Sequence, residues 1–378
     1  MKKFEPPARR KPVDVESFER ILGSYGDLKS GPTVIFIGSI HGNEPAGASA
    51  LRNIFRHLEE EQPAFKGSAH ALTGNLEALK KGQRYIDIDL NRTWTPERDV
   101  KLRHIIPPEV NGTVEEREKE GLFGALFNIV RKTVGPYYIL DLHTVSSDSV
   151  PFINIGDTLR NRNFAKQFPL PVVLGIEEQL HGTFLNFTNE HGFVCFGFEA
   201  GQHDDPDSVY NNEALIWHTF TVCGHMEEQE IPQIHAYREQ LRKASFEQQS
   251  IFELRYRYEI GPDEQFRMKP GFRNFDPVQE GQVIAENEKG PIRSPESGRI
   301  FMPLYQKQGE DGFFLVQPFH PFWLKLSAWL RNIKLERLLP YFPGIRQHPE
   351  DRDTLMVNLR IARWYVMEFL HLLGYRRE

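Results

Sequence analysis

Cysteine is nearly absent from this chain, whose 378 residues include only Cys195 and Cys223. Two thiols exclude a disulfide-stabilised scaffold and a four-cysteine metal site, and they indicate a reducing compartment. Long apolar runs are missing as well. The run at residues 34–37 is far shorter than the roughly 18 residues that a membrane span requires. We therefore expect a soluble, cytoplasmic protein with no membrane partner.

The chain also lacks an excess of positive charge. Its 46 Lys and Arg residues face 52 Asp and Glu residues, which gives a net charge of −6. This balance argues against a nucleic-acid partner. Basic residues do cluster within residues 1–11, but no apolar stretch follows them. We therefore expect a solvated terminus there and no signal peptide.

What the sequence does have is enough apolar residues for a sizeable core, since 39% are hydrophobic and 26% are charged. This composition makes global disorder improbable. At about 150 residues per domain, the length favours two or three domains. Phenylalanine is the abundant aromatic residue, with 28 copies against 12 Tyr and 5 Trp. Most of these rings are expected in the core.

Strands alternate with helices over the first 250 residues. The run at 33–40 is apolar, rich in β-branched residues and followed by a glycine-containing turn, which is typical of a buried strand. Further strands are predicted at 68–72, 136–142 and 193–199, and helices at 46–61, 121–132, 209–226 and 233–243. The alternation predicts an α/β catalytic domain at 1–250 with a mixed sheet flanked by helices.

After residue 250 the pattern changes to short strands separated by Pro/Gly turns. Strands predicted at 251–260, 281–286, 298–303 and 313–316 indicate a smaller, mostly β domain at 251–322, similar to a barrel-sandwich. Residues 323–378 are predicted to form a helical extension, interrupted at 339–344. The hairpin around Lys289 resembles those of lipoyl and biotinyl domains, but we interpret Lys289 as an ordinary solvated side chain.

Two of the predicted strands end in histidine. His41 follows the first strand, and Glu44 lies three residues further on, where one helical turn would bring both side chains to one face. His143 ends the third strand in the same way. Two His and one Glu form the ligand set of a hydrolytic zinc site with an open fourth position. An unmetallated polar cleft is the open alternative, and Asp141 is placed to contact His143.

Four short motifs follow one another in the chain: His-Gly-Asn-Glu at 41–44, Asp-Leu-Asn-Arg at 89–92, Asp-Leu-His-Thr at 141–144 and Phe-Glu-Ala-Gly at 198–201. Their order and spacing, with a β-rich region behind them, resemble the succinylglutamate desuccinylase/aspartoacylase family, which is related to the zinc carboxypeptidases. The resemblance implies a zinc-carboxypeptidase-like fold and one Zn²⁺ per chain, bound by His41, Glu44 and His143.

The resemblance also implies roles for four further residues. Glu199 matches the family's general base, which acts beside zinc and its water. Arg84 matches the arginine that polarises the scissile carbonyl and stabilises the oxyanion. Asn91 and Arg92 match the pair that binds a substrate carboxylate. Without the resemblance, the alternation of apolar and polar residues over 84–92 is more typical of a surface strand.

Two departures from the family concern the substrate. Residues 184–196 contain no Arg or Lys, although aspartoacylases place a second substrate-binding arginine there, and residues 312–314 are Gly-Phe-Phe where their tyrosine would enter. Phenylalanines are expected near the cleft in three groups: Phe184 with Phe187, those within 193–198, and Phe313 with Phe314. We therefore predict a substrate less polar than N-acetylaspartate, with one carboxylate.

The sequence thus predicts a zinc-dependent amidohydrolase that removes an acyl group from an N-acyl amino acid or a similar small carboxylate amide. The β domain would cap its cleft. Two alternatives stay open: a zinc carboxypeptidase acting on small peptides, and a non-catalytic small-molecule binding protein on the same fold. The expected partner is a small carboxylate substrate, and a homo-oligomer stays open.

Overall fold

The computed structural model describes residues 17–95, 112–231, 233–245, 250–333, 338–339, 341–347 and 355–358. Its strands are β1 (Ile21–Gly26), β2 (Thr33–Gly38), β3 (Ser68–Thr73), β4 (Tyr137–Val145), β5 (Phe152–Ile155), β6 (Val172–Leu174), β7 (Val194–Gln202), β8 (Ile251–Glu259), β9 (Arg267–Met268), β10 (Pro277–Val278), β11 (Val283–Asn287), β12 (Gly290–Arg293), β13 (Gly298–Phe301), β14 (Asp311–Pro318), β15 (Ile345–Gln347) and β16 (Leu355–Val357). Its helices are α1 (Ala46–Glu61), α2 (Leu76–Lys81), α3 (Val114–Lys132), α4 (Leu159–Ala165), α5 (Phe184–Glu190), α6 (Asp207–Val222), α7 (Ile234–Ala244) and α8 (Pro321–Asn332).

An 11-stranded mixed sheet forms the centre of the molecule, in the order β1-β3-β2-β4-β7-β5-β6-β8-β14-β13-β10. The neighbours β2, β4 and β7 are parallel, so their carboxyl ends lie at the same edge of the sheet. Ligands bind at this edge in open α/β sheets. The predicted α/β fold with a mixed sheet and a smaller β region is confirmed.

The strand β2 shows why the sheet is buried on both faces. All six of its residues are buried, and they alternate between the two cores. Val34 and Phe36 belong to the core beneath α1 and α6, whereas Ile35 and Ile37 belong to the core beneath α3. An unbroken apolar run is therefore what this position in a parallel sheet requires.

Glycine lets α1 pack closely against the sheet. A Cβ on Gly38 would lie 2.5 Å from the backbone nitrogen of Ala48, and one on Gly47 would lie 2.8 Å from Cβ of Leu142. Side chains at either position would push the start of α1 away from β2 and β4. The close approach places the residues that join β2 to α1 directly above the carboxyl edge of the sheet.

Helix α3 begins seven residues before the predicted start at 121, because Thr113 and Glu116 form a capping box that satisfies its first N–H groups. The other large elements of the α/β region lie close to their predicted positions. The sheet itself crosses residue 250: β8 pairs with β6 on one side and with β14 on the other. A division of the chain at 250 therefore stays a prediction, since it is not a break in the sheet.

The C-terminal extension differs from its prediction. Helix α8 is present, but β15 and β16 form an antiparallel pair within the stretch predicted to be helical. This part of the prediction is wrong, because residues 345–347 are fixed by cross-strand pairing, which helical periodicity does not report. Residues 359–378 of the predicted helix lie outside the described residues. Among the residues that the structure describes, no helix has the length and apolarity of a membrane span.

Candidate metal and catalytic site

The three predicted metal ligands meet at the carboxyl edge of the sheet. His41 lies just after β2, Glu44 lies just before α1, and His143 is the seventh residue of β4. All three are buried, and one ligand atom from each lies within 4.8 Å of the others. The Glu44 carboxylate is 2.9 Å from Nδ1 of His41 through Oε1 and 3.0 Å from Nδ1 of His143 through Oε2. The geometry therefore turns both Nδ1 atoms toward one point.

A second carboxylate orients each imidazole from its far side. Nε2 of His143 is 2.8 Å from Oδ2 of Asp141, as the sequence predicted, and Nε2 of His41 is 3.2 Å from Oδ1 of Asp89. Carboxylates in this position fix the tautomer of a metal-ligating histidine and raise its basicity. Asp89 was part of a motif in the sequence, but its contact with His41 was not predicted.

The charge of this cluster fits a bound cation. Three carboxylates contact the two imidazoles, those of Glu44, Asp89 and Asp141. Glu199 lines the same cleft, as does the positively charged Arg84. Burial alone would raise the pKa of Glu44, but the neighbouring His41 and His143 hold it well below its usual range. The donors are imidazole nitrogen and carboxylate oxygen, which suit a divalent transition metal such as zinc.

Glu199 lies on β7 directly beside the ligand set, because its backbone is paired in register with that of His143. Its side chain is buried, and Oε2 finds no hydrogen-bond partner among the described residues. Burial raises the pKa of Glu199 to about 8, with further increases from Glu44 and Asp141 that His143 and Arg84 oppose. A buried carboxyl with a perturbed pKa and an oxygen that lacks a hydrogen-bond partner has the properties of a proton-transfer group.

Arg84 reaches the same point from a loop. Nε and Nη2 of Arg84 lie 3.1 Å and 3.0 Å from Oδ2 of Asp89, and Nη1 lies 3.5 Å from Oε1 of Glu44. Residues 84–92 contain no strand: they form a loop that ends in the 3-10 turn Leu90–Arg92, which Asp89 caps by accepting the N–H of Asn91. The surface-strand alternative is therefore wrong, because the stretch is a loop and the side chains of Arg84 and Asp89 contact buried partners.

Glu115 holds this loop in place, and sequence reasoning missed it. Its carboxylate is fully buried and accepts hydrogen bonds from three consecutive backbone N–H groups, those of Ile86, Asp87 and Ile88, at 2.7, 3.0 and 3.2 Å. Asn75 donates a fourth at 3.1 Å. A buried charge with four donors stabilises one loop conformation. The signal in the sequence was an acidic residue one position before the Glu of a capping box.

Asn91 and Arg92 both line the cleft, but each already has protein partners. Oδ1 of Asn91 accepts the N–H of Phe184 at 2.8 Å. Arg92 donates to the carbonyl of Asn91 at 2.9 Å and to Oδ2 of Asp311 at 2.6 Å, while its buried Nε has no partner among the described residues. Their role in binding a substrate carboxylate stays a prediction, and the ion pair with Asp311 was not foreseen.

The β-rich region supplies one wall of the cleft. Five residues of its segment 302–311 line the cleft: Met302, Leu304, Gln306, Gly309 and Asp311. Oε1 of Gln306 accepts from Nδ2 of Asn43 at 2.7 Å and lies 3.0 Å from Nε2 of His203. The amide of Gln308 pairs with the N–H of Arg84 and the carbonyl of Tyr85, each at 3.1 Å. The β-rich region is thus attached to the loop that carries Asn43 and to the loop that carries Arg84.

Phenylalanine plays a smaller part in the cleft than predicted. Phe314 lines it, together with Ile176, Leu180 and Leu185. In contrast, Phe184 packs edge-on against Trp94 in the core, and Phe313 stacks on Tyr258 inside the β region. Their positions in the sequence next to cleft residues did not reveal which face of the element each ring occupies.

Comparison with known proteins supports the sequence motifs. Residues 30–216 match the model of the succinylglutamate desuccinylase/aspartoacylase catalytic domain. A succinylglutamate desuccinylase from Chromobacterium violaceum is 27% identical over 175 residues, which cover 44% of this chain and 50% of that protein. The match thus spans about half the length of that curated relative.

Solved structures share the fold at low sequence identity. A succinylglutamate desuccinylase/aspartoacylase from Rhodobacter sphaeroides gives a TM-score of 0.56 at 19% identity, covering 77% of this chain and 88% of that one. The product-bound ectoine utilization protein EutE (DoeB) from Ruegeria pomeroyi gives a TM-score of 0.56 at 17% identity, covering 78% and 87%. The likeness extends past the α/β region into the β-rich region.

Proposed function

Residues 30–216 form a catalytic domain of the succinylglutamate desuccinylase/aspartoacylase family, and from this premise we propose that the chain is a zinc-dependent amidohydrolase. Its substrate would be an N-acyl amino acid or a similar small carboxylate amide, from which it removes the acyl group. The observation that carries the proposal is the meeting of a His-Glu-His ligand set with Glu199, a buried carboxyl that has a free oxygen.

One Zn²⁺ per chain would be held by His41, Glu44 and His143. When bound, the ion would serve as a Lewis acid toward water and toward the scissile carbonyl. Asp89 and Asp141 keep both imidazoles turned for binding. Asp89 and Asp141 would therefore fix the ligands, and other residues of the cleft would transfer the proton and stabilise the developing charge.

Glu199 is proposed as the general base and acid. Its free oxygen takes a proton from the attacking water and later returns a proton to the nitrogen of the leaving amine, as the amide C–N bond breaks. The raised pKa of Glu199 suits the return of the proton. A cation at the neighbouring ligand set would lower that pKa, because opposite charge favours the carboxylate form, and so ready Glu199 for the first step.

Arg84, Asn91 and Arg92 are proposed to bind the substrate. Arg84 is held by Asp89 with its guanidinium next to Glu44, a fixed position from which it stabilises negative charge on the carbonyl oxygen. Asn91 and Arg92 lie further along the same turn and would bind the substrate carboxylate. The apolar wall that includes Leu185 and Phe314 would accept an apolar part of the substrate.

The test combines metal analysis with a screen of N-acyl amino acids. We expect about one zinc per chain and hydrolysis of at least one N-acyl amino acid, and Glu199→Gln should lose turnover by about a thousandfold while it keeps its zinc. A chain that binds no divalent metal at micromolar zinc would overturn the proposal. Cleavage of dipeptides but of no N-acyl amino acid would replace it with a carboxypeptidase activity.

A further inference from the structure

An ion cluster joins the two regions at the end of the cleft that holds Arg92. Oδ2 of Asp311 lies 2.6 Å from Nη2 of Arg92, and Oδ1 lies 2.6 Å from Nε of Arg257. Arg92 comes from the turn after Asp89, whereas Asp311 begins β14 and Arg257 lies on the adjacent β8. The three side chains are 19%, 14% and 15% exposed, so water screens their charges only in part.

The cluster has two positive charges and one negative charge. Arg257 is fixed by a further bond from Nη1 to the carbonyl of Gln179 at 2.8 Å. Its other acidic neighbour, Glu259, lies 3.5 Å from Nη2 but is 67% exposed, so its charge is largely screened by solvent. The cluster of Arg92, Asp311 and Arg257 therefore has one positive charge in excess, and the neighbouring ion pair of Arg84 with Asp89 adds one charge of each sign.

We propose that Asp311 is a specificity-determining residue that limits this end of the cleft to a single substrate carboxylate. Arg92 and Arg257 together could balance two carboxylates, but Asp311 occupies the place of one. A substrate with a second carboxylate would meet the charge of Asp311 at short range, where like charges repel strongly. This inference rests on the proposed function, since it describes the substrate of the same site.

Residues 184–196 lack the second substrate-binding arginine of aspartoacylases, and Arg257 is relevant to this difference. A second guanidinium, that of Arg257, does contact Asp311, but it comes from the β-rich region and is not among the residues that line the cleft. Exchanging Asp311 for a neutral side chain should expose that second charge to the substrate.

The test measures binding by calorimetry in the full-length, zinc-loaded protein that carries Glu199→Gln to prevent hydrolysis. The probes are N-acetylglutamine and N-acetylglutamate, which match in size and differ by one carboxylate. We expect tighter binding of N-acetylglutamine. Asp311→Asn should shift the ratio of the two dissociation constants about tenfold toward N-acetylglutamate. Asp27→Asn, which removes the same charge beyond Gly26 at the opposite edge of the sheet, should leave the ratio unchanged.

Arg257→Gln provides the opposite change and an independent measurement. It makes the cluster neutral, so both probes should bind about tenfold more weakly. A ratio that stays within twofold in Asp311→Asn, or affinities unchanged in Arg257→Gln, would overturn the proposal. So would the absence of binding of both probes. A purely structural ion cluster would lower the melting temperature without moving the ratio, and failure of the proposed function would appear separately, as absence of hydrolysis by the protein with Glu199 intact.

Discussion

The two regions that meet at the cleft contribute different kinds of groups. The carboxyl edge of β2, β4 and β7 brings the His-Glu-His set together with Glu199, all of them groups whose chemistry suits metal binding or proton transfer. The β-rich region brings Gln306 and Gln308, which form hydrogen bonds, and Asp311, which forms an ion pair with Arg92 of the α/β region. If the proposed function holds, we expect the parallel sheet edge to supply the reacting groups and the β-rich region to supply the fit to the substrate.

The strongest way to test this contrast is to remove the residue that both histidines share. Glu44→Gln removes the carboxylate that contacts Nδ1 of both His41 and His143, so zinc affinity should fall by at least about a hundredfold and turnover should vanish. Metal analysis and an activity assay check both. Glu59→Gln, on the exposed face of α1, is the control and should keep zinc and activity. A fully zinc-loaded Glu44→Gln protein would contradict the assignment.

A second variant tests whether the chemistry depends on the loop that carries Arg84. Glu115→Gln replaces the carboxylate that accepts three consecutive N–H groups, so Arg84 should lose its fixed position. We expect kcat to fall about ten- to a hundredfold with zinc content unchanged. Glu120→Gln, on the same helix, should have little effect. Unchanged kcat in Glu115→Gln would show that the loop keeps its shape without this carboxylate.

The contribution of the β-rich region should be smaller and of another kind. Gln306→Leu removes the oxygen that contacts Asn43 and His203, so two partly buried polar groups lose a partner. We expect KM to rise about three- to tenfold while kcat changes less, since the reacting groups are untouched. Steady-state kinetics measures both constants. A larger change in kcat than in KM would place part of the chemistry in the β-rich region.

The smallest effect on activity belongs to buried histidines of the α/β region that lie away from the cleft. Burial lowers the pKa of His218 to about 4, from an ordinary value of about 6.5. A pKa lowered by folding gives stability that is present above pH 6.5 and is lost as pH falls toward 4. When the pH falls from 7 to 5, His218 should therefore lower the free energy of unfolding by about 2 kcal/mol.

Urea unfolding of His218→Gln measures this term. Between pH 7 and pH 5, the free energy of unfolding should fall by about 2 kcal/mol less in the variant than in the unmodified chain. Turnover at pH 7 should be unchanged. His70 and His225, whose pKa values burial also lowers to about 4, remain in both proteins and keep the background the same. An equal acid loss in both proteins would show that His218 is protonated in the folded state.

The sequence predicts the groups that follow strands and misses the partners that distant segments provide. His41, Glu44 and His143 come from strand ends, and a short local pattern is enough to place them. The contact of Arg92 with Asp311 joins residues 219 apart, and that of Asn43 with Gln306 joins residues 263 apart. No periodicity reports such pairs, because they form only when the sheet brings two regions together. For the same reason the sequence predicts the rings of Phe184 and Phe313 near the cleft, whereas the structure has both of them in the core.

The pairing of β6 with β8 has a consequence for how substrate enters. The strand β6 is paired in register with the first three residues of β8. The backbone ladder of the sheet therefore continues from the α/β region into the β-rich region. A hinge there would have to break several ladder hydrogen bonds before the two walls of the cleft could separate. We therefore expect substrate to enter without a rigid-body separation of the α/β region from the β-rich region.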